Sequence, residues 1–138
     1  MQSPYYGGYV AASTMAGGTH IVALDDGQTN YASYLVYSGS KPIRAVLLNT
    51  DYYDGTGVRT NQTFVLQNIG MRVVTAKRLT APAATSSQDM GVAPTFAGQS
   101  FVNETCLKTG AERVESAYVD NETVTFVLQA SEALLVNL

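Results

Sequence analysis

The sequence predicts an all-β fold, an antiparallel β-sandwich of about eight or nine strands with Greek-key connections behind a short N-terminal helical segment. Three observations predict it. From Thr19 onward, short β-type runs are divided by turn residues at intervals of roughly 8 to 14, and helical periodicity is scarce. Residues 122–129 alternate cleanly, with Val124, Phe126 and Leu128 on one side and Thr123, Thr125 and Val127 on the other, as a half-buried antiparallel strand requires. The first eighteen residues differ in kind, because Tyr5, Tyr6, Tyr9, Val10, Ala11, Ala12, Met15 and Ala16 form an apolar stretch with almost no charge.

That leading stretch suits a short helix over residues 8–16, which would be unstable alone and needs a surface to pack on. A first strand over residues 20–24 stops at Asp25-Asp26-Gly27, and a second over 31–37 stops at Ser38-Gly39-Ser40-Lys41-Pro42. Residues 43–48 are almost wholly apolar, the mark of a central strand covered on both faces. Residues 58–66 and 71–79 follow and are expected to form a hairpin across Asn68 and Gly70. The small, polar residues 81–87 read as a surface connection between sheets, followed by a short strand near 95–101. Residues 114–119 are the expected hairpin partner of 122–129. Residues 133–138 are apolar apart from Asn137 and end on a leucine, so the tail should be held in a sheet.

At 138 residues the chain fits one domain with an ordinary core. Apolar residues make up 46% and charged residues 14%, too greasy for disorder and lean in charge for a free surface, so part of that surface is expected to be covered. The net charge of -3 and eight scattered basic residues argue against nucleic-acid binding. No apolar run nears the roughly 20 residues that span a bilayer. Met1 is followed by Gln2, Ser3, Pro4 and Tyr5, without the pattern of an export signal, which is expected upstream. Three glycosylation sequons, at Asn61, Asn103 and Asn121, point to a eukaryotic secretory route. The single Cys106 is either a buried thiol, the reading its residue type favours, or the partner of a cysteine elsewhere.

No constellation of catalytic residues emerges. Hydrolysis by two carboxylates needs them facing one another, and Glu112 and Glu115, three apart on a strand, would point to opposite faces. Asp25 and Asp26 suit a turn. His20 is the only histidine and reads as a strand-edge residue, which excludes a multi-histidine metal site. Glycine-rich phosphate loops and other cofactor motifs are missing from the sequence. The loop of Asp51, Tyr52, Tyr53, Asp54, Gly55, Thr56 and Gly57 has three readings: an ordinary turn, a sugar-contacting loop, or a calcium loop, whose ligand spacing it lacks.

The strings PYYGGY, NYASYLVY, IRAVLLNTDYYDGTGVR, AKRLTAPAAT, TFAGQSF and SEALLVNL, taken together, resemble the C-terminal domain of fungal β-glucuronidases of glycoside hydrolase family 79, relatives of heparanase. The resemblance runs over nearly the whole chain. It implies a β-sandwich, residues 19–138, packed on a catalytic (β/α)8 barrel to which residues 1–18 would form the final helical approach. The two glutamates of a retaining hydrolase belong to that barrel, so no catalytic residue carries over to any position here. By analogy with heparanase, the sandwich would also borrow a strand from elsewhere in the full protein. The expectation is therefore a secreted, non-catalytic accessory domain that meets the barrel through Tyr5, Tyr6, Tyr9 and Met15. The alternative is a carbohydrate-binding module in which Tyr52, Tyr53 and Asp54 contact glycans containing glucuronic acid.

Overall fold

The computed structural model describes residues 3–24 and 27–138; the turn expected at Asp25 and Asp26 lies outside them. Among the described residues one α-helix, α1 (Ser3–Met15), precedes eleven strand segments, with a single 3-10 turn at Gln88–Met90. These are β1 (His20–Ala23), β2 (Tyr31–Ser38), β3 (Lys41–Asn49), β4 (Asn61–Leu66), β5 (Val73–Thr80), β6 (Thr95–Phe96), β7 (Ser100–Phe101), β8 (Lys108–Thr109), β9 (Glu115–Tyr118), β10 (Val124–Gln129) and β11 (Glu132–Asn137). The excess over the expected count comes from two-residue pieces: the strand expected near 95–101 breaks at Ala97 and Gly98, both at positive φ, into β6 and β7.

The large sheet runs β1-β2-β3-β11-β5, with β6 and β9 both paired to β5. A two-stranded sheet of β4 and β10 lies against one face of it, and β7 pairs with β8. All strand pairings among the described residues are antiparallel. Residues 43–48 do fall in a central strand, and the apolar tail is held between β3 and β5. Both expected long hairpins are corrected. β4 pairs with β10 and not with β5, and β9 pairs with β5 and not with β10. In each case the chain changes sheets at the turn, so neighbours in sequence lie in opposite layers.

The sandwich core forms from Ala45 and Leu47 of β3, Phe64 and Leu66 of β4, Val74 and Ala76 of β5, Val124, Phe126 and Leu128 of β10, and Leu134 and Val136 of β11. The opposite face of the large sheet carries Val46, Leu135 and Phe96, which pack with Val10 of α1. Alternation along β3 and β11 thus feeds two cores at once.

Helix α1 owes little to its own sequence. It contains Gly7 and Gly8, each costing about 1 kcal/mol relative to alanine in a helix interior. It has no acidic residue in its first turn and no basic residue in its last. Tertiary contacts supply the difference: Tyr6, Val10 and Thr14, one helical turn apart, are buried against the sheet layer. The Arg44 guanidinium donates to the carbonyls of Thr14 and Ala16, closing the C-terminal end that α1 leaves uncapped. Gly17, at φ +73°, turns the chain out of the helix. A Cβ on Gly18 would lie 2.6 Å from Val36 Cγ1 and 3.2 Å from the Met15 carbonyl oxygen, so only glycine fits that exit.

A partly buried ionic network, centred on the buried Glu132, closes the other edge of the sandwich. Glu132, 7% exposed, accepts hydrogen bonds from Arg78 Nη1 (2.8 Å), Thr80 Oγ1 (2.6 Å) and the Gln129 backbone amide (2.9 Å). Arg78 also forks onto both oxygens of Glu115 and donates to the Val127 carbonyl, tying β5, β9, β10 and β11 together. The hydrogen bond to Glu115 is the main reason that its guanidinium holds its proton above the ordinary range. Removing one partner of such a pair leaves a desolvated charge. We expect Arg78→Met to cost about 3–5 kcal/mol in urea unfolding and Arg78→Met/Glu132→Gln to recover part of that. A loss below about 1 kcal/mol for the single variant would mean that water already screens the pair.

Candidate docking surface

Helix α1 divides the outer face of the large sheet into two flanks. On one flank, Gly7, Val10, Ala11 and Thr14 of α1 face Ile21, Tyr34, Val46, Leu48, Leu79 and Ala133 across an open apolar cavity of about 340 Å³. The strands here have apolar side chains on the face turned away from β4 and β10, yet α1 covers only part of it. Ile21 is left exposed. Thr14 Oγ1 borders this cavity, is buried, and has no hydrogen-bond partner among the described residues. An unmade hydrogen bond at a buried hydroxyl is costly, so this atom is suited to a partner brought in from outside. The outermost positions of α1, Gly7, Gly8, Ala11 and Ala12, are small and exposed, which permits close approach of another backbone.

The residues expected at a docking face divide. Tyr5 and Met15 are exposed, at 37% and 38%, although the Tyr5 ring also meets Phe101 edge-on at 5.0 Å. Tyr6 is corrected: it is 1% exposed, lies edge-on to Phe101, and its hydroxyl accepts a hydrogen bond from the Phe101 amide. It anchors α1 to its own sandwich and cannot face a partner. Tyr9 is half-buried between Phe96 and Phe101, with Lys108 over its ring at 4.9 Å. Thr14, Ile21 and Tyr34 escaped the sequence reading, although the apolar alternation of β2 carried the signal for Tyr34.

The tyrosine loop does not form a paired platform. Tyr52 is 70% exposed, whereas the Tyr53 ring carries the Arg59 guanidinium at 5.1 Å. Asp54 accepts hydrogen bonds from the Thr56 hydroxyl and amide, which lower its pKa and make it a turn residue. Asp51 and Tyr53 are tied to β11's approach through the Ser131 hydroxyl.

The remaining polar candidates are structural in their contacts. Glu112 and Glu115 pair with Lys77 and Arg78, neighbours on β5 whose side chains leave opposite faces of the sheet, so the two carboxylates do not converge. His20 stacks on Tyr37 at 4.9 Å with Nδ1 beside the Thr19 hydroxyl. Among the described residues, no group of three or more His, Cys, Asp or Glu side chains could hold a metal ion. No described helix is long and apolar enough to cross a membrane. Asn61, Asn103 and Asn121 are all exposed, Asn121 on the turn between β9 and β10. Cys106 is corrected too: it is exposed, in a turn where its own φ is +55°, so local backbone geometry outweighs the burial its side chain favours.

The comparisons with known proteins agree with this architecture. The family described as "Glycosyl hydrolase family 79 C-terminal beta domain" matches residues 33–135. Among solved structures, a 4-O-alpha-L-rhamnosyl-beta-D-glucuronidase from Fusarium oxysporum 12S, crystallised as its Rha-GlcA complex, is similar over all of this chain with 51% identity and a TM-score of 0.96. The match covers 30% of that enzyme's chain. No curated protein matches. The matched span takes in the sandwich from within β2 to within β11, and the chain belongs to the C-terminal β-domain family of glycoside hydrolase family 79.

Proposed function

We propose that this chain is a non-catalytic accessory domain of a larger β-glucuronidase-like enzyme, packing on and stabilising a (β/α)8 catalytic barrel. The observation that carries the reading is the apolar cavity beside α1, with the unpartnered Thr14 hydroxyl at its wall. Its support from outside the chain is the similar glucuronidase, of which this chain matches 30%. In this reading Tyr5, Met15 and the small face of α1 meet the barrel, and Tyr6 and Tyr9 hold α1 in place beneath them. Hydrolysis with retention, by two carboxylates, is then the barrel's work. Contributions of Tyr52 to glycan contact would be those of a single ring.

The reading also takes the domain to be secreted and glycosylated, on the strength of three exposed sequons. After secretion from a eukaryotic host, digestion with an N-glycosidase should lower its mass by whole glycans. An unchanged mass would remove the glycoprotein reading.

The 138-residue chain alone should release no nitrophenol from nitrophenyl β-D-glucuronide and should self-associate or bind an apolar dye. Ala11→Arg, on the exposed rim of the cavity, should lower dye binding severalfold while leaving the melting temperature within a few degrees. An active, monomeric chain that ignores the dye would overturn the proposal.

A further inference from the structure

On the other flank of α1, three of the chain's eight basic residues converge on one cavity of about 160 Å³. Arg44, Lys77 and Lys108 line it, with a single carboxylate, Glu112, among them. Glu112 is held by Lys77 at 2.7 Å. Three cations against one carboxylate leave a local positive excess in a chain whose net charge is -3. Scattered charges do not gather in this way without cost, because like charges that share a partly dry pocket repel.

The cations retain capacity. Only Nη1 of Arg44 is engaged, on the end of α1, leaving Nε and Nη2 without a partner among the described residues. Lys108 meets the Tyr9 ring and, among the described residues, forms no ion pair shorter than 4 Å. Ser13 and Gln99 also line the cavity, and each donates its hydrogen bond to a backbone carbonyl, of Tyr9 and Gly110 respectively. Ser13 has thereby spent its one hydroxyl hydrogen and Gln99 one of its two amide hydrogens, and the lone pairs left on both side-chain oxygens suit a ligand that donates hydroxyl hydrogens as well as carrying negative charge. The cavity is smaller than the roughly 300 Å³ at which drug-sized sites begin, the scale of one compact ring.

We propose that this cavity binds a single sugar acid, its carboxylate taken by Arg44, Lys77 and Lys108 and its hydroxyls by Ser13 and Gln99. The site is separate from the docking cavity, since α1 stands between them. An anion held by fixed cations and read by neutral acceptors distinguishes a uronate both from a neutral hexose and from a bare carboxylate.

The test is a titration of the 138-residue chain, followed by amide NMR, with D-glucuronate, D-glucose and acetate as probes at low and high salt. Glucuronate should shift resonances of Tyr9, Lys77 and Lys108 with millimolar affinity and bind at least about fivefold more tightly than either glucose or acetate. Lys77→Gln/Lys108→Gln should weaken it by about tenfold or more, and 0.5 M salt should weaken it severalfold. Lys108→Gln alone, at an exposed position, serves if the double variant unfolds; it should weaken binding by at least about threefold. Equal responses to glucuronate and acetate, shifts confined to other residues, or unchanged affinity in the lysine variants would overturn the proposal.

Discussion

Burial of β3 and β11 on both faces is the constraint from which the rest of this domain follows. A strand whose alternate residues are all apolar must be covered twice, and the chain meets that demand with two different materials. On one face β4 and β10 lay Phe64, Leu66, Val124, Phe126 and Leu128 over Leu47 and Leu134. On the other, α1 lays Val10 over Val46 and Leu135. The first cover is a layer; the second is one narrow helix. What α1 leaves bare becomes the cavity beside Thr14, and what it shades on its other side becomes the cationic pocket.

The helix itself shows how far tertiary contacts override local preference. A segment with two adjacent glycines and no charged residue at either end would not be helical in isolation. Tyr6 pins its beginning through Phe101, and Arg44 receives its end. The Arg78–Glu132 network plays the corresponding part at the far side, where the chain repeatedly changes sheets and edge groups would otherwise lack partners.

Much of this was legible in the residues. The alternation of 124–128, the unbroken apolar run within β3 and the greasy C-terminal strand all announce their burial, because period-two patterning reflects which face a side chain meets. Pairing was not legible. Asn121 and Glu122, both at positive φ, make a tight turn like that of a hairpin, yet β9 and β10 diverge into different sheets. Turn chemistry reports the reversal and not the partner. The tyrosines of α1 were read as one outward group, but a helix sends Tyr6 and Tyr5 about 100° apart, so one anchors and the other is exposed. The convergence of Arg44, Lys77 and Lys108 comes from three elements distant in sequence and only the fold brings it about.

The account rests on the exposed flank of α1 being a seam with a larger body. Hydrogen exchange read by mass spectrometry, on the 138-residue chain with and without a family 79 catalytic barrel, tests this most directly. The account predicts added protection at residues 7–14, at β1 and at β2 around Tyr34, with the outer face of β4 and β10 unchanged. Protection at β4 and β10 alone, or none anywhere, would contradict it.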